Sequence, residues 1–575
     1  MYKAGFILFL LIGSISLAAQ TAADGPTPKD WHMLDPEVDR FYGIGVEKVY
    51  QTILQNKPAK KEVVVAVIDS GIDTTHEDLK PVLWRNKKEI PGNGIDDDQN
   101  GYVDDIHGWN FLGGKDGRNV GKDSYEGARV YHGLRPVFEL VTDSSQLSPR
   151  ERVQFKQYLR AKAIIQEQAK EASMFVMMWK GMMDRLPRAD SILRASWGKS
   201  VYNGDLLQTF SPANAEQQKA KTIMLGLFQS IAESGDDGSA YTNVKLIKEI
   251  TDYYESKQRQ LDGANTPPPP YRQEIVQDNY NDPNDRFYGN NDIMGPDPAH
   301  GTHVAGIIAA NRNNKEGIKG IADKVSIMVL RAVPDGDEHD KDIANAIRYA
   351  VDNGAKVINM SFGKSFSPHK HWVDQAVQYA ESNGVLLIHA AGNDSKNLDS
   401  AENYPNPNLL EQKRVATNWI TVGASGATAE KLAANFSNYS NSQVDVFAPG
   451  ASIYSSVPGG NNYDVQSGTS MASPVVAGLA ALILSRFPEL TPAQVKLSIE
   501  KSTLPISIDV LLPDANGESF AKVPFSQLCK TGGVVNAPGA VNYAETLAST
   551  PETKKTVKPS KPVEVKPAIK KTPKG

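Results

Sequence analysis

The sequence predicts an α/β protein with a mostly parallel β-sheet, into which an all-helical block is inserted. Residues 61–68, KEVVVAVI, form a continuous β-branched run that is typical of a strand covered on both faces. Similar short apolar runs recur at 325–330, 357–360, 385–390 and 419–422. Helical patterns lie between several of these runs, and this alternation indicates βα units with crossover helices.

The predicted helical block covers residues 112–289. Ser148-Pro149-Arg150-Glu151 places an N-cap serine, a proline at the first helical position and a glutamate at the third, which predicts a capping box at the start of a long helix. Ser211-Pro212 and Thr242 predict two further helix starts. The long helix also carries a group of methionines, which we expect in the core rather than at an adaptable binding surface: Met174, Met177, Met178, Met182 and Met183.

Length and composition exclude several classes of protein. The chain has 575 residues, of which 40% are hydrophobic, and this is enough to bury a large core. Cys529 is the single cysteine, so an intramolecular disulfide and a cysteine-rich zinc module are both excluded. The net charge of −5 is too small to favour nucleic acid as a partner. We expect a monomer.

Both ends of the chain predict segments outside the fold. Residues 1–23 combine Lys3 with an apolar run of 13 residues and with small residues near Ala19 and Ala23, which is typical of a cleaved export signal. An uncleaved anchor is the alternative. We therefore expect a secreted protein, extracellular or periplasmic, with no transmembrane segment after cleavage. The Lys- and Pro-rich tail at 546–575 predicts disorder, or alternatively a tether to an anionic surface.

Four short motifs supply the residue types of nucleophilic catalysis. Asp69 ends the first predicted strand, His300 begins HGTHVAG, and Ser470 lies in SGTSMASP at the start of a helix. A serine hydroxyl needs a base, an imidazole can accept its proton near neutral pH, and a carboxylate fixes the imidazole tautomer. Asn393, in AGN after an apolar strand, has an amide that can donate a hydrogen bond to an oxyanion.

In these motifs, and in the order Asp, His, Ser, the chain resembles the subtilisin-like serine peptidases, or subtilases. The resemblance implies a three-layer α/β/α sandwich in which Asp69 orients the base, His300 is the general base and Ser470 is the nucleophile. It implies that Asn393 and the Ser470 backbone N–H stabilise the oxyanion. The implied activity is endopeptidase cleavage of a peptide or protein substrate through an acyl-enzyme, without a catalytic cofactor. A catalytically silent fold that binds peptides or proteins is the alternative, although no triad position is substituted.

The resemblance also implies a substrate-binding wall. Ser361, Phe362 and Gly363 match the segment that holds a peptide as an added β-strand. Ala391 and Gly392 would form the facing wall of the primary specificity pocket. Their small size predicts a pocket that accepts a large apolar or aromatic side chain.

An acidic loop predicts a structural calcium ion. Asp96, Asp98, Asn100 and Asp104 stand at positions 1, 3, 5 and 9 of a pattern similar to an EF-hand loop. Hard oxygen ligands favour Ca²⁺ over a transition metal. His107 replaces the glutamate expected at position 12, so an acidic surface turn without a metal is the alternative.

The predictions divide the chain into a signal peptide (1–23), an N-terminal segment (24–60), a catalytic domain in two pieces (61–111 and 290–545), the helical insertion (112–289) and the tail (546–575). Because the insertion separates Asp69 from His300, its ends must lie near the active-site face. We hypothesise that it partly covers the cleft or takes over the folding role of a pro-domain. A partner-docking module and a neutral surface insertion are the alternatives.

Overall fold

The computed structural model describes residues 27–233, 241–315, 317–513 and 519–550. The predicted export signal and most of the predicted tail lie outside the described residues. The strands in chain order are β1 (Val63–Asp69), β2 (Gly108–Asn110), β3 (Val325–Arg331), β4 (Val357–Met360), β5 (Leu386–Ala390), β6 (Asn408–Leu409), β7 (Arg414–Val415), β8 (Trp419–Ser425), β9 (Val446–Pro449), β10 (Ile453–Val457), β11 (Asn462–Gln466), β12 (Leu504–Pro505), β13 (Asp509–Pro513), β14 (Phe520–Pro524) and β15 (Gly533–Val534).

The α-helices alternate with these strands except in one long stretch between β2 and β3. In chain order they are α1 (Pro36–Asp39), α2 (Val46–Lys48), α3 (Glu126–Phe138), α4 (Pro149–Trp197), α5 (Gly204–Thr209), α6 (Ala215–Glu233), α7 (Asn243–Asn265), α8 (Ala299–Ala309), α9 (Asp340–Asp352), α10 (Lys370–Ser382), α11 (Thr469–Arg486), α12 (Pro492–Lys501) and α13 (Ala537–Ser549).

Nine strands form one sheet in the order β12-β15-β9-β8-β5-β4-β1-β3-β2. Neighbouring strands run parallel except at the β12–β15 edge pair. The apolar runs predicted as strands are β1, β3, β4, β5 and β8, so the predicted parallel sheet is confirmed.

Helices cover both faces of this sheet. Along β1, Val65 and Val67 pack into a core shared with α8 and α11, whereas Ala66 and Ile68 pack into a core shared with α9 and α10. A strand that is buried on both faces needs apolar side chains at every position, which explains its unbroken apolar sequence. The molecule is therefore a three-layer α/β/α sandwich.

Helices α3 to α7 pack in two small apolar clusters that are distinct from the two cores on the faces of the sheet. The predicted capping box is confirmed, because Ser148 Oγ accepts from Glu151 N–H and the Glu151 carboxylate accepts from Ser148 N–H. Thr242 also caps α7 as predicted. The helices occupy 126–265, a narrower span than 112–289. Leu112, Val120, Val276 and Tyr288 instead pack against the sheet, in the same core as β1.

The prediction that the methionines of α4 lie in the core is wrong for three of them. Met174, Met177 and Met178 are 56%, 74% and 71% exposed, and Met182 and Met183 are half-buried. The physical reason is the placement of α4 between two small apolar clusters. Its first turns enter one cluster and its last turns enter the other, so its middle has less to pack against.

The N-terminal segment and the C-terminal helix complete the main core. Trp31, Ile44 and Val49 are fully buried there with Ala540 of α13. Helix α13 continues to Ser549, past the predicted start of the tail at 546, because its buried face holds it on this core. Helix α11 is long and apolar enough to span a membrane, but 89% of that stretch is buried inside the protein.

Candidate active site

Asp69 and His300 form a hydrogen bond at the carboxyl edge of the sheet. Asp69 is the last residue of β1 and is 2% exposed. Its Oδ1 accepts from His300 Nδ1 at 2.7 Å and from the Ser70 N–H at 2.8 Å. When Nδ1 carries the proton, the neutral ring keeps its lone pair on Nε2. This tautomer can accept a proton from a hydroxyl group.

The environment of His300 favours the protonated ring. His300 lies in the first turn of α8 with 38% of its side chain exposed. Burial alone would lower its pKa, but the charge and hydrogen bond of Asp69 and the charge of Asp297 raise the pKa above its ordinary value. His303, one turn later, is fully buried against the Ile453 carbonyl, and burial lowers its pKa to about 3. His303 is therefore a neutral structural residue.

Ser470 lies in the first turn of α11, beside the end of β4. Its Oγ donates to the Ser361 carbonyl at 3.1 Å, and Ser361 Oγ donates to the Ser470 carbonyl at 2.8 Å. Strand β4 is the neighbour of β1, with Met360 opposite Ile68, so Ser361 and Asp69 follow the ends of adjacent strands. The structure thus brings the Asp69–His300 pair and the Ser470–Ser361 pair to the ends of adjacent strands.

Asn393 follows β5 and faces the start of α11. Its Oδ1 accepts from the Thr469 N–H at 2.9 Å and from Thr469 Oγ1 at 2.8 Å. A backbone N–H can only donate, so Oδ1 must point to Thr469 and Nδ2 must point away from it. A Cβ built on Gly468 would lie 3.4 Å from Asn393 Nδ2 and 3.6 Å from Ser470 Cβ. The free amide hydrogens therefore lie near Ser470.

The predicted substrate wall follows β4 and β5. Asn359 Nδ2 donates to Ser361 Oγ at 3.0 Å and Ser473 Oγ donates to Asn359 Oδ1 at 2.8 Å, which ties residues 361–363 to α11. Ala391 is fully buried, and Gly392 has φ of +100°. A Cβ on Gly392 would come within 2.4 Å of the Asn438 amide, so glycine is required here.

The carboxylates that lie close together in the acidic loop are not the same set as the predicted metal ligands. Oxygens of Glu89, Asp96 and Asp98 lie within 4.8 Å of one another. Asp104 lies outside this group, and its carboxylate accepts the backbone N–H groups of residues 92, 93 and 94, so its role as a fourth ligand stays a prediction. Asn100 Oδ1 likewise accepts from the Tyr102 N–H. Glu89 is 4% exposed, and its Oε2 has no hydrogen-bond partner among the described residues.

Sequence reasoning missed Lys364, which lies directly after the substrate wall. Its buried ammonium contacts Glu126 of α3 at 2.8 Å, Asp340 of α9 at 2.9 Å and the Glu338 carbonyl at 2.7 Å. Lys364 therefore joins the wall to two other elements. Its partner Glu126 is 238 positions away, and no local pattern in the sequence marks such a pair. Thr469 and Glu89 were missed as well, although Thr469 adjoins the predicted nucleophile.

The chain is similar in sequence to several known proteins. The chain is 44% identical over 189 residues to the thermophilic serine proteinase of Bacillus sp. (strain AK1), which is 32% of this chain and 43% of that protein. It is 41% identical over 208 residues to subtilisin E of Bacillus subtilis (strain 168), covering 36% and 50% of the two chains. It is 38% identical over 245 residues to thermitase of Thermoactinomyces vulgaris, covering 42% and 75%.

The chain thus spans about half the length of the first two of these relatives. Among solved structures, a protease from Pseudoalteromonas arctica PAMC 21717 matches with a TM-score of 0.36 and 30% identity, covering 44% of this chain and 79% of that one.

The Subtilase family model matches residues 60–527, which include β1, His300 and Ser470. The chain belongs to the subtilase family.

Proposed function

We propose that this protein is a secreted serine endopeptidase that cleaves peptide or protein substrates with Ser470, His300 and Asp69. The observation that carries the proposal is the 2.7 Å Asp69–His300 hydrogen bond at the end of β1, with Ser470 Oγ bonded to Ser361 at the end of the adjacent strand β4. Each residue type matches its role, since the carboxylate holds the tautomer, the imidazole accepts the proton and the hydroxyl attacks.

The proposed reaction begins when Ser470 Oγ attacks the carbonyl carbon of the scissile bond and gives its proton to His300 Nε2. The carbonyl oxygen becomes an oxyanion, which accepts hydrogen bonds from Asn393 Nδ2 and the Ser470 N–H. Asp69 stabilises the imidazolium. His300 then passes the proton to the leaving amine, and the C–N bond breaks to give an acyl-enzyme. A water molecule, deprotonated by His300, releases the second product and restores Ser470.

Substrate binding is proposed along residues 361–363 by main-chain hydrogen bonds, with a large apolar side chain beside Ala391 and Gly392. Two observations support the position of this wall. Ser361 contacts Ser470 directly, and Asn359 and Ser473 hold Ser361 in place. A substrate strand here would present its carbonyl to Ser470.

Reaction with a fluorophosphonate probe tests the enzyme proposal against a catalytically silent fold. The probe should label Ser470 in the folded wild-type protein, and mass spectrometry of the labelled peptide identifies the site. Ser470→Ala should show no label and a loss of about 10⁶ in kcat. A folded wild-type protein that neither reacts with the probe nor cleaves any peptide in a substrate library would overturn the proposal.

We also propose that Glu89, Asp96 and Asp98 bind a structural Ca²⁺ that supplies no catalytic chemistry. The unpartnered Glu89 Oε2 supports this set, because a buried carboxylate oxygen without a partner is costly unless a cation neutralises it. Three carboxylates within 4.8 Å also repel one another when no cation is between them. Oxygen donors of this kind suit calcium.

A further inference from the structure

Helix α7 lies across three segments that carry the candidate active site. One face of α7, here called the latch face, consists of Lys245, Lys248, Glu255, Ser256 and Arg259. At 3.6 residues per turn these five positions fall within an arc of about 100°, on one side of the helix. The helix covers about 21 Å between Lys245 and Arg259, which is long enough to run the length of a substrate cleft.

The two ends of the latch face contact two different segments of the catalytic unit. Lys245 Nζ lies 2.8 Å from Asp464 Oδ1 and donates to the Val465 carbonyl at 3.0 Å. Both partners belong to β11, the strand that leads directly to Ser470. Arg259 Nη2 lies 2.5 Å from Asp335 Oδ1, in the segment that follows β3.

The middle of the latch face lies over the segment that leads to His300. Lys248 Nζ is 3.9 Å from Asp297 Oδ2, and Asp297 is three residues before His300. Tyr125 and Ser256 share a hydrogen bond of 2.7 Å, and Lys122 pairs with Glu255. The contacts made by the latch face are thus polar along its whole length.

The apolar contacts of the helical segment lie in two clusters, apart from the polar contacts of the latch face. Leu186, Tyr202, Phe228 and Leu246 belong to a cluster formed by helices α4 to α7 and the residues between them. A second cluster, at the base of the segment, joins α3 and the start of α4 to Phe366 of the catalytic unit. Helix α7 takes part in both clusters, with Leu246 in the first and Ala264 against the second. Its latch face, in contrast, is held to β11, Asp297 and Asp335 by ion pairs, which are individually weak and screened by salt.

We propose that α7 forms one wall of the substrate cleft and that ion pairs hold it in place. This wall admits extended, flexible polypeptide segments but excludes substrates in which folded domains lie close to the scissile bond. The proposal rests on the proposed peptidase function and names its substrate class. A substrate strand along residues 361–363 leads to Ser470 and His300, and α7 contacts the segments that directly precede both residues, so we expect the substrate to pass beside α7. A narrow extended segment fits such a passage, and a folded domain next to the scissile bond collides with α7.

The test uses the full chain and three substrates that share one cleavage sequence. They are a tetrapeptide p-nitroanilide and two fusions of folded fluorescent domains, joined by a linker of about 6 or about 24 residues. For wild type, kcat/KM on the long linker should exceed that on the short linker by about tenfold. In the double variant Lys245→Ala, Arg259→Ala this ratio should fall to about twofold or less, with tetrapeptide hydrolysis unchanged.

Arg188→Ala is the matched control, because Arg188 makes an exposed ion pair with Glu216 far along the same helical segment. It should leave the ratio at the wild-type value. Raising NaCl from about 0.05 to about 0.5 M should lower the wild-type ratio without any substitution. This measurement decides the question if the double variant fails to fold.

The outcomes separate this inference from the proposed function. If wild type cleaves the tetrapeptide and both linkers with equal efficiency, or if salt and the double variant leave the ratio unchanged, the latched wall is overturned. If wild type cleaves none of the three substrates and a fluorophosphonate does not label Ser470, the peptidase proposal itself fails.

Discussion

The side chain of Thr469 holds the Asn393 amide in a single orientation. Its Oγ1 donates to Asn393 Oδ1 at 2.8 Å and accepts from the Gly392 N–H at 3.1 Å. This hydroxyl therefore connects the strand end that carries Asn393 to the helix that carries Ser470. A donor that is already oriented before the reaction gives more stabilisation to an oxyanion than one that must reorganise.

Replacing Thr469 tests this positioning role. Thr469→Val keeps the side-chain shape but removes the hydroxyl, so kcat should fall about tenfold, with KM within about twofold of wild type. Thr469→Ser keeps the hydroxyl and should retain most of the activity. Steady-state kinetics on a tetrapeptide p-nitroanilide measure both variants. Equal activity of the valine and serine variants would contradict the role of the hydroxyl.

The charge next to His300 sets the pH dependence expected for catalysis. General-base catalysis needs the neutral ring, so kcat/KM should rise as pH increases through the pKa of His300. Burial opposes the charged ring, but Asp69 and then Asp297 raise this pKa, which places the acid limb of the profile above pH 6.5. Asp297→Asn removes one favourable charge, so the acid limb should move to lower pH.

A profile of kcat/KM from about pH 5 to 9 checks this prediction. Asp297→Asn should keep kcat at its plateau, because Asp297 is exposed and an asparagine Oδ1 can still accept from the Ala299 N–H at the start of α8. Asp69→Asn should instead lower kcat about 10⁴-fold, since it also disturbs the tautomer. An Asp297→Asn profile that moves to higher pH would show that the sign of this electrostatic effect is wrong.

At the scale of single elements, the loop at 89–105 has the features of a metal-stabilised turn. Chelation with EDTA should lower the melting temperature by about 5 °C if Ca²⁺ is bound well above its Kd. Glu89→Gln removes one negative charge from the cluster, so its melting temperature should become insensitive to EDTA. Differential scanning calorimetry with and without Ca²⁺ measures both effects.

Asp97→Asn provides the control for this loop. Asp97 accepts from the Ile90 N–H and the Asn93 amide, outside the three-carboxylate cluster. Its substitution should lower stability by a similar amount with and without Ca²⁺, so the response to EDTA should remain. Identical melting curves of wild type with EDTA and with Ca²⁺ would rule out the proposed ion.

The strands and the order of motifs could be predicted from the sequence because each leaves a local signal. A strand buried on both faces is continuously apolar, and β1 shows this in six consecutive residues, 63–68. The hydrogen-bond partners of a side chain within a loop leave no such signal in the sequence. Asp104 matches a ligand position by spacing, but its carboxylate binds backbone N–H groups. Glu89 precedes the motif and was not considered, although it lies at the cluster.

Exposure of the methionines on α4 and the contacts of Lys364 depend on packing between distant parts of the chain. Met177 is 74% exposed because the middle of α4 lies between two apolar clusters, and the local sequence does not contain this information. Lys364 is buried because Glu126 and Asp340 neutralise it. Such ion pairs can be identified only from a structure that shows the segments containing Lys364, Glu126 and Asp340 in contact.

For the molecule as a whole, the segment that precedes the sheet and the helix that ends the described chain complete one core. Trp31 is fully buried, and its Nε1 donates to the Ser452 carbonyl at 3.2 Å. The Ala537 N–H donates to the Ile44 carbonyl at 2.8 Å, so α13 also rests on this segment. Because Cys529 is the single cysteine, no intramolecular disulfide joins these parts of the chain, and the contacts themselves hold them together.

Trp31 should therefore stabilise the catalytic unit although it lies 38 positions before Asp69. Trp31→Ala leaves a cavity in the main core, so the free energy of unfolding should fall by about 3–5 kcal/mol. Val38→Ala is the control, because Val38 is 70% exposed and its loss should change stability by less than about 0.5 kcal/mol. Urea denaturation of Ser470→Ala forms, which avoids self-cleavage during the measurement, compares the variants. Equal midpoints for Trp31→Ala and Val38→Ala would mean that the sheet and its helices fold without help from the N-terminal segment.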